Sequence, residues 1–331
     1  MREVRSSAVK INDIINTLIL LNIDRLTMSA FNMLVVLGST ASGKTKLAVE
    51  LAKMLNGEII SADSRQVYCG LDIGSGKDLD EYQEINHHLI DIVDPGYEYN
   101  IFDFQKDVIS AYEKISDKNK LAIMAGGSAL YVDSILKGYR LIEVPENKAL
   151  RESLAELSHE QLTQQLMQLK PNLHNTTDLI ERDRLVRAIE IAQGELAAKD
   201  TINDFPALKP LIFAIKWPRE VIRQRITLRL KQRMEQGLIA EVAQLHAQGV
   251  SWETLYFYGL EYRYIAQHLQ GKLSKNDCFQ KLNSAIHQFS KKQDTWLRRL
   301  ERNGTKIHWL DGNKNLLTQA MAVIAQLNKQ N

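Results

Sequence analysis

Short apolar runs that stop at glycine alternate along this chain with stretches whose apolar residues recur at helical spacing. Met33-Leu-Val-Val-Leu37 is β-branched and apolar and stops at Gly38, which predicts a buried strand. Over 45–55, Leu47, Ala48, Leu51 and Leu55 share a helical face, and Asn56-Gly57 closes the helix. Glu58-Ile-Ile60 predicts a second strand and His88-Leu-Ile-Asp-Ile92 a third. A helix over 102–115 and a strand at Leu121-Ala-Ile-Met-Ala125 follow. This alternation implies an α/β fold, a parallel sheet with helices on both faces.

The pattern then changes. Over 145–193 leucines at helical spacing predict short helices and no strand, which marks a helical insertion. Leu211-Ile-Phe-Ala-Ile215 restores a strand. Long helical stretches over 221–248 and 277–302 follow, with a last strand over 306–310. We therefore divide the chain into an N-terminal extension (1–30), a core (31–142 and 206–331) and a helical insertion domain (143–205). No internal repeat is evident.

Composition changes this picture little. The 331 residues are 44% hydrophobic and 25% charged, as in a soluble globular protein. Cys69 and Cys278 are far apart and lack CxxC spacing, which argues against a structural zinc site or disulfide framework and fits a reducing cytoplasm. The formal net charge of +2 leaves any nucleic-acid function to local patches. The basic residues 1–10 and the Ile/Leu-rich 11–23 faintly resemble a signal peptide. Asn12, Asp13, Asn16 and Asn22 interrupt the run, however, and no small-residue cleavage site follows. An extra helix, or a true start at Met28, is the simpler reading, and no other segment is apolar enough to enter a membrane.

The strongest chemical signal is Gly38-Ser-Thr-Ala-Ser-Gly-Lys-Thr45, a GxxxxGK(S/T) phosphate loop between a predicted strand and helix. Gly38, Ser39, Thr40, Ala41, Ser42 and Gly43 would turn backbone N–H groups around phosphate oxygens. Lys44 would add a point charge, and the Thr45 hydroxyl could hold Mg²⁺. The loop leaves open whether a nucleotide such as ATP or another diphosphate is bound. Ser61-Ala-Asp-Ser-Arg-Gln-Val-Tyr68 follows the second strand and so places Asp63 at the carboxyl edge of the sheet, beside the loop. Asp63 could ligate Mg²⁺, act as a general base, or simply cap a helix. Gly126-Gly127-Ser128 ends the fourth strand at the same edge, either for close ligand approach or as a plain turn. The paired His87 and His88 have no third ligand at metal spacing and read as structural.

Three basic sets stand out. Arg184 and Arg187 share a helix face, and Arg225, Arg229 and Arg233 recur every four residues with few partner carboxylates. Lys291, Lys292, Arg298, Arg299 and Arg302 are interleaved with Gln288, Gln293 and Trp296. Cations mixed with amides and a ring suit an RNA strand, although a solvated helix face would look the same.

Taken in order, GSTASGKT, SADSRQVY, HHLID, GGSALY, RLVRAIEI, RITLRLKQRMEQGL and SKKQDTW resemble the bacterial tRNA dimethylallyltransferase (tRNA isopentenyltransferase) family over about 33–302. The resemblance implies a P-loop NTPase-like core with an insertion domain gripping the anticodon stem-loop. It also implies transfer of a dimethylallyl group from dimethylallyl diphosphate to the adenine just 3′ of the anticodon. Asp63 would then be the general base, with Arg225 or Arg229 and Mg²⁺ neutralising the diphosphate. Contacts to tRNA would come from Asp63, Ser64, Arg65, Gln66 and Ser128, and from Asp183, Arg184, Leu185, Val186 and Arg187. Gly259, Leu260, Glu261, His287, Gln288, Lys291, Lys292 and Gln293 would complete them. Ser39 stands where the family usually has proline, Leu260-Glu261 where it has Tyr-Lys/Arg, and Lys291-Lys292 where it has Lys-Arg. The chain is read as a cytoplasmic monomer. The competing readings are an isopentenyltransferase acting on free adenine nucleotides and a small-molecule P-loop kinase.

Overall fold

A computed structural model describes residues 30–139, 141–171, 179, 181–197 and 205–328. The proposed extension, apart from Ala30, and the alternative start at Met28 lie outside the described residues. The described chain forms two compact units. One comprises the sheet-containing residues up to Lys137 and from Ala207 onward; the other is Gly138–Pro206.

The larger unit is built on six strands: β1 Met33–Gly38, β2 Gly57–Ala62, β3 His87–His88, β4 Leu121–Gly126, β5 Pro210–Lys216 and β6 His308–Asp311. Their order is β3-β2-β4-β1-β5-β6, and every pairing is parallel. β1 and β2 are buried at every position, which is why they read as continuous apolar runs rather than as an alternation. Helix α1 (Lys44–Met54) supplies Leu47, Ala48 and Leu51 to a core shared with Leu34, Val36, Ile59, Ile123 and Phe213. Helix α2 (Ile101–Asp117) starts at a capping box in which Asn100 accepts from Asp103 N–H and Asp103 accepts from Asn100 N–H. Helix α3 (Ala129–Leu136) follows β4 directly.

The smaller unit contains α4 (Lys148–Ala155), α5 (His159–Leu169) and α6 (Arg182–Ala197) around Leu154, Leu162, Leu166, Leu185, Ile189 and Ala192. The buried Glu190 ties it together. It accepts from Asn147 N–H at 2.9 Å, from Arg151 Nε at 2.8 Å and from Arg187 Nη1 at 3.0 Å. Those partners, led by Arg151, hold its carboxyl at about 2 against the opposing effect of burial.

The remaining helices of the larger unit are α7 (Arg219–Gln236), α8 (Leu238–Ala247), α9 (Trp252–Phe257), α10 (Leu260–Leu269), α11 (Lys275–Arg302) and α12 (Leu316–Asn328). Two expectations need correction. The strand expected over 88–92 stops at His88, because Leu89 (φ 64°) and Asp91 (φ 53°) are left-handed. That winding carries the Asp91 carboxylate to the buried Lys77 ammonium, which also reaches Asp72 Oδ1 at 2.6 Å and the Tyr68 carbonyl at 2.8 Å. The long helix expected over 221–248 is broken at Gly237 (φ 108°), a left-handed C-cap. Helices α3, α9, α10 and α12 were not anticipated. His88 meets the structural reading: its Nε2 lies 2.8 Å from the buried Glu58 carboxylate.

Candidate active site

The phosphate loop runs from the end of β1 into α1. Ala41 (φ 60°) and Gly43 (φ 94°) are both left-handed, a winding that turns successive N–H groups toward one point. No side chain caps α1, so its positive end is left for an anion. The loop is braced from outside. Trp217 Nε1 donates to the Ser42 carbonyl at 2.9 Å, and Arg225 Nε donates to the Ala41 carbonyl at 2.8 Å. The Arg225 guanidinium also stacks 4.5 Å from the Trp217 ring. From within, Lys44 Nζ donates to the Ser39 carbonyl at 2.9 Å. Burial and Arg229 push the Lys44 ammonium down to about 8, against the pull of Asp63.

Two cavities open on this loop. One, of about 250 Å³, is lined by Thr40, Lys44, Thr45, Asp63, Ser64, Arg65, Gly126, Gly127, Ser128, Glu261, Phe289 and others. The second, of about 430 Å³, lies on Ala41–Thr45 with Asp78, Asp80, Glu81, Arg225 and Gln232. Lys44, Thr45, Arg229 and Arg233 belong to both. The carboxyl edge of the sheet thus joins the ends of β1, β2 and β4 in one site, as parallel α/β sheets do.

Asp63 caps no helix. Its Oδ1 accepts the Arg65 N–H at 2.9 Å, which fixes the carboxylate against its own turn and aims it at the first cavity. Ser128 Oγ accepts the Ser64 N–H at 3.0 Å and so joins the turn after β2 to the turn after β4. The two glycines before it serve protein packing. A Cβ at Gly126 would collide with the Ala62 carbonyl, and one at Gly127 would lie 2.6 Å from Gln293 Nε2.

Several residues expected at the tRNA interface are held by the protein itself. Gln293 donates from Nε2 to the Gly127 carbonyl at 3.1 Å and accepts the Thr40 N–H at 2.9 Å, so it braces the phosphate loop. Gln66 is buried between Ser61 Oγ at 2.7 Å and the Gly76 carbonyl at 3.1 Å. His287 Nε2 lies 3.2 Å from the Arg223 carbonyl, and burial lowers its pKa. Gln288, Lys291 and Lys292 are exposed. Trp296 corrects the stacking expectation. It is buried, and its Nε1 donates to Asp133 Oδ1 at 3.2 Å, so its ring is not offered to a base. Among the exposed rings of the described residues are Phe289, at the first cavity, and Phe257, over which Arg65 lies at 5.0 Å. Within the smaller unit, Asp183 and Arg184 are exposed, Val186 and Arg187 half-buried, and Leu185 fully buried in the core.

Arg229 pairs with Asp78. Sequence reasoning grouped Arg233 with Arg225 and Arg229 but gave it no role of its own; it is buried at the wall of both cavities. It also missed Glu241, whose carboxylate accepts from Asp72 N–H at 3.0 Å, Ile73 N–H at 2.6 Å, Gly74 N–H at 3.0 Å and Tyr262 Oη at 2.9 Å. This clamp fixes the loop whose Gly74, Ser75 and Gly76 line the first cavity, and no sequence spacing announces it. Among the described residues no cluster of three or more His, Cys, Asp or Glu could hold a metal. A hydroxyl at Thr45 with a carboxylate at Asp63 on one cavity is an oxygen-only set, and it suits a hard cation that draws its other ligands from phosphate and water. No described helix is long and apolar enough to cross a membrane.

The family model for IPP transferase matches residues 66–300. The chain is 58% identical over 300 residues to tRNA dimethylallyltransferase 1 of Geotalea daltonii, covering 91% of this chain and 97% of that protein. It is 56% identical over 295 residues to tRNA dimethylallyltransferase 2 of Citrifermentans bemidjiense, covering 89% and 95%. The crystal structure of the full-length tRNA isopentenylpyrophosphate transferase from Bacillus halodurans is similar at a TM-score of 0.67 and 28% identity, over 90% of this chain and 97% of that one. With a phosphate loop facing a fixed carboxylate, and with matches that span nearly the whole of these relatives, the chain belongs to the IPP transferase family.

Proposed function

We propose that this prenyltransferase moves a dimethylallyl group from dimethylallyl diphosphate to the exocyclic amine of the adenine 3′-adjacent to the anticodon in tRNA, releasing diphosphate. The observation that carries the reading is the shared wall. Asp63 lies on a cavity that includes Lys44 and Thr45 of the phosphate loop, so a base on one side can meet an allylic carbon presented from the other. An adenine in a stem-loop must leave its stack to reach that depth.

The donor diphosphate sits against the loop N–H groups and Lys44, where its growing charge is neutralised. Thr45 would hold Mg²⁺, with the diphosphate supplying further oxygens; when bound, the ion adds charge neutralisation of the leaving group. The adenine amine is a weak nucleophile because its lone pair is delocalised into the ring. Asp63 takes an N6 proton as the N–C bond forms, an effect worth about 10²–10⁴-fold. Arg225 acts at one remove, by holding the loop backbone. Lys291, Lys292 and the face of α11 that carries them meet the tRNA backbone, and the Gly138–Pro206 unit is its second grip. We take the enzyme to work as a cytoplasmic monomer. The test is incubation with labelled dimethylallyl diphosphate and either bulk tRNA or AMP, followed by nucleoside analysis. Label in tRNA adenosine is the expected result. Equal labelling of AMP would favour an enzyme of free nucleotides, and phosphoryl transfer from ATP to a small acceptor would favour a kinase.

A further inference from the structure

Three arginines at four-residue spacing on α7 face the phosphate loop, and their surroundings separate them. Arg225 donates to the Ala41 carbonyl and stacks on Trp217. Arg229 is paired with Asp78. Arg233 is only 8% exposed, and its Nε is buried without a partner among the described residues. Its Nη1 reaches the Gly74 carbonyl only at 3.4 Å and Glu261 Oε1 only at 3.9 Å. A guanidinium buried this deeply, with its nearest acid, Glu261, beyond hydrogen-bond distance, is an incomplete ion pair.

The protein makes room for that group. Gly76, at φ 69°, lies against it, and any Cβ there would collide with Arg233 Nη2. The Gly76 carbonyl is fixed by Gln66, and the neighbouring loop N–H groups by Glu241. The guanidinium is therefore held at the wall common to both cavities, beside Lys44, Thr45 and Arg229. The groups facing it from the packed elements are Arg229, Asp78, Glu261 and Tyr262. Neither acid satisfies the guanidinium, so Arg233 keeps a free Nε–H donor at the wall where an anion could enter.

We propose that Arg233 is a further catalytic residue, the guanidinium that receives the diphosphate as it departs, with Glu261 as its positioning residue. The identity of the anion rests on the function proposed above. As the adenine N6–C1 bond forms, the C1–O bond of the donor breaks. The electron pair stays on the diphosphate oxygen, and the N6 proton passes to Asp63. Charge thus grows on the oxygen that Arg233 can reach with a planar fork, a geometry that lysine does not reproduce.

The test uses the full-length chain with inorganic diphosphate and Mg²⁺ as probe, read by calorimetry, beside prenyl transfer to tRNA. Arg233→Met should weaken diphosphate binding at least about tenfold and lower kcat more than KM for tRNA, and Arg233→Lys should recover only part of both. Anticodon stem-loop affinity should stay within about twofold of wild type. Added guanidinium should partly restore turnover in Arg233→Ala. Because Arg233→Met leaves Glu261 without its cation, Arg233→Met with Glu261→Gln provides a charge-balanced second variant. That double variant, folded and binding diphosphate like the wild type, would overturn the proposal. Wild-type transfer intact with the double variant unaffected removes Arg233 alone. No wild-type transfer, with diphosphate affinity still dependent on Arg233, keeps the anion site and removes the reaction.

Discussion

Asp63 and Lys44 face the same cavity with opposite charge, and each can be tested separately. Asp63→Asn keeps the shape and the turn but cannot take the proton. Turnover should fall at least about a hundredfold with tRNA affinity near wild type, as single-turnover rates and stem-loop binding would report. An unchanged rate would reduce Asp63 to a turn former. Lys44 titrates near 8 in the free protein, and a bound diphosphate raises that value. Donor affinity should therefore be full below about pH 8 and decline above it, with proton uptake on binding near pH 8 to 9. Calorimetry in buffers of different ionisation enthalpy measures that uptake, and its absence would remove Lys44 from the phosphate contacts.

At the scale of elements, α11 presents two faces with different surroundings. Gln293 and Trp296 point inward to the phosphate loop and Asp133, while Lys291 and Lys292 are exposed. Changing both lysines to alanine should weaken tRNA binding and flatten its salt dependence by about one to two units in the log–log slope, with donor binding unchanged. A slope equal to the wild type's would move the RNA path elsewhere. The phosphate loop, its flanking strand and helix, and the edge position of Asp63 were legible in the sequence because each depends on local spacing. The inward turn of Trp296 was not, since a cation-rich run gives no sign of which face meets Asp133, 163 residues away. Nor could the arginines of α7 be ranked, because only tertiary partners distinguish a brace (Arg225), an ion pair (Arg229) and an open guanidinium (Arg233). The strand over 88–92 failed for the same reason: Asp91 is turned by Lys77, which the apolar pattern does not contain.

For the whole molecule, acid stability should depend on two buried carboxylates, one in each compact unit. Burial alone would raise Glu58, but hydrogen bonds from Lys120, Asn86, His88 and Lys118 outweigh it and hold the group at about 2; Glu190 is held equally low. Both pKa values are depressed on folding, so their contribution is present above about pH 4.5 and is lost as pH falls toward 2. Glu58→Gln should destabilise the protein at pH 7 by about 1–3 kcal/mol and narrow its gap to the wild type near pH 3, as denaturant midpoints at the two pH values would record. A gap that is constant with pH would show that Glu58 acts through shape rather than charge.

The low pKa of Lys44 has a consequence for selective chemistry. At neutral pH a lysine near 8 holds roughly two orders of magnitude more free amine than an ordinary surface lysine. Lys77, by contrast, is enclosed and shared between two carboxylates. An acylating reagent small enough to enter the first cavity would therefore meet Lys44 as the lysine on its wall, at the phosphate loop. Because Lys44 lines both cavities, an adduct there would stand in each of them, which makes Lys44 an anchor point for an irreversible inhibitor.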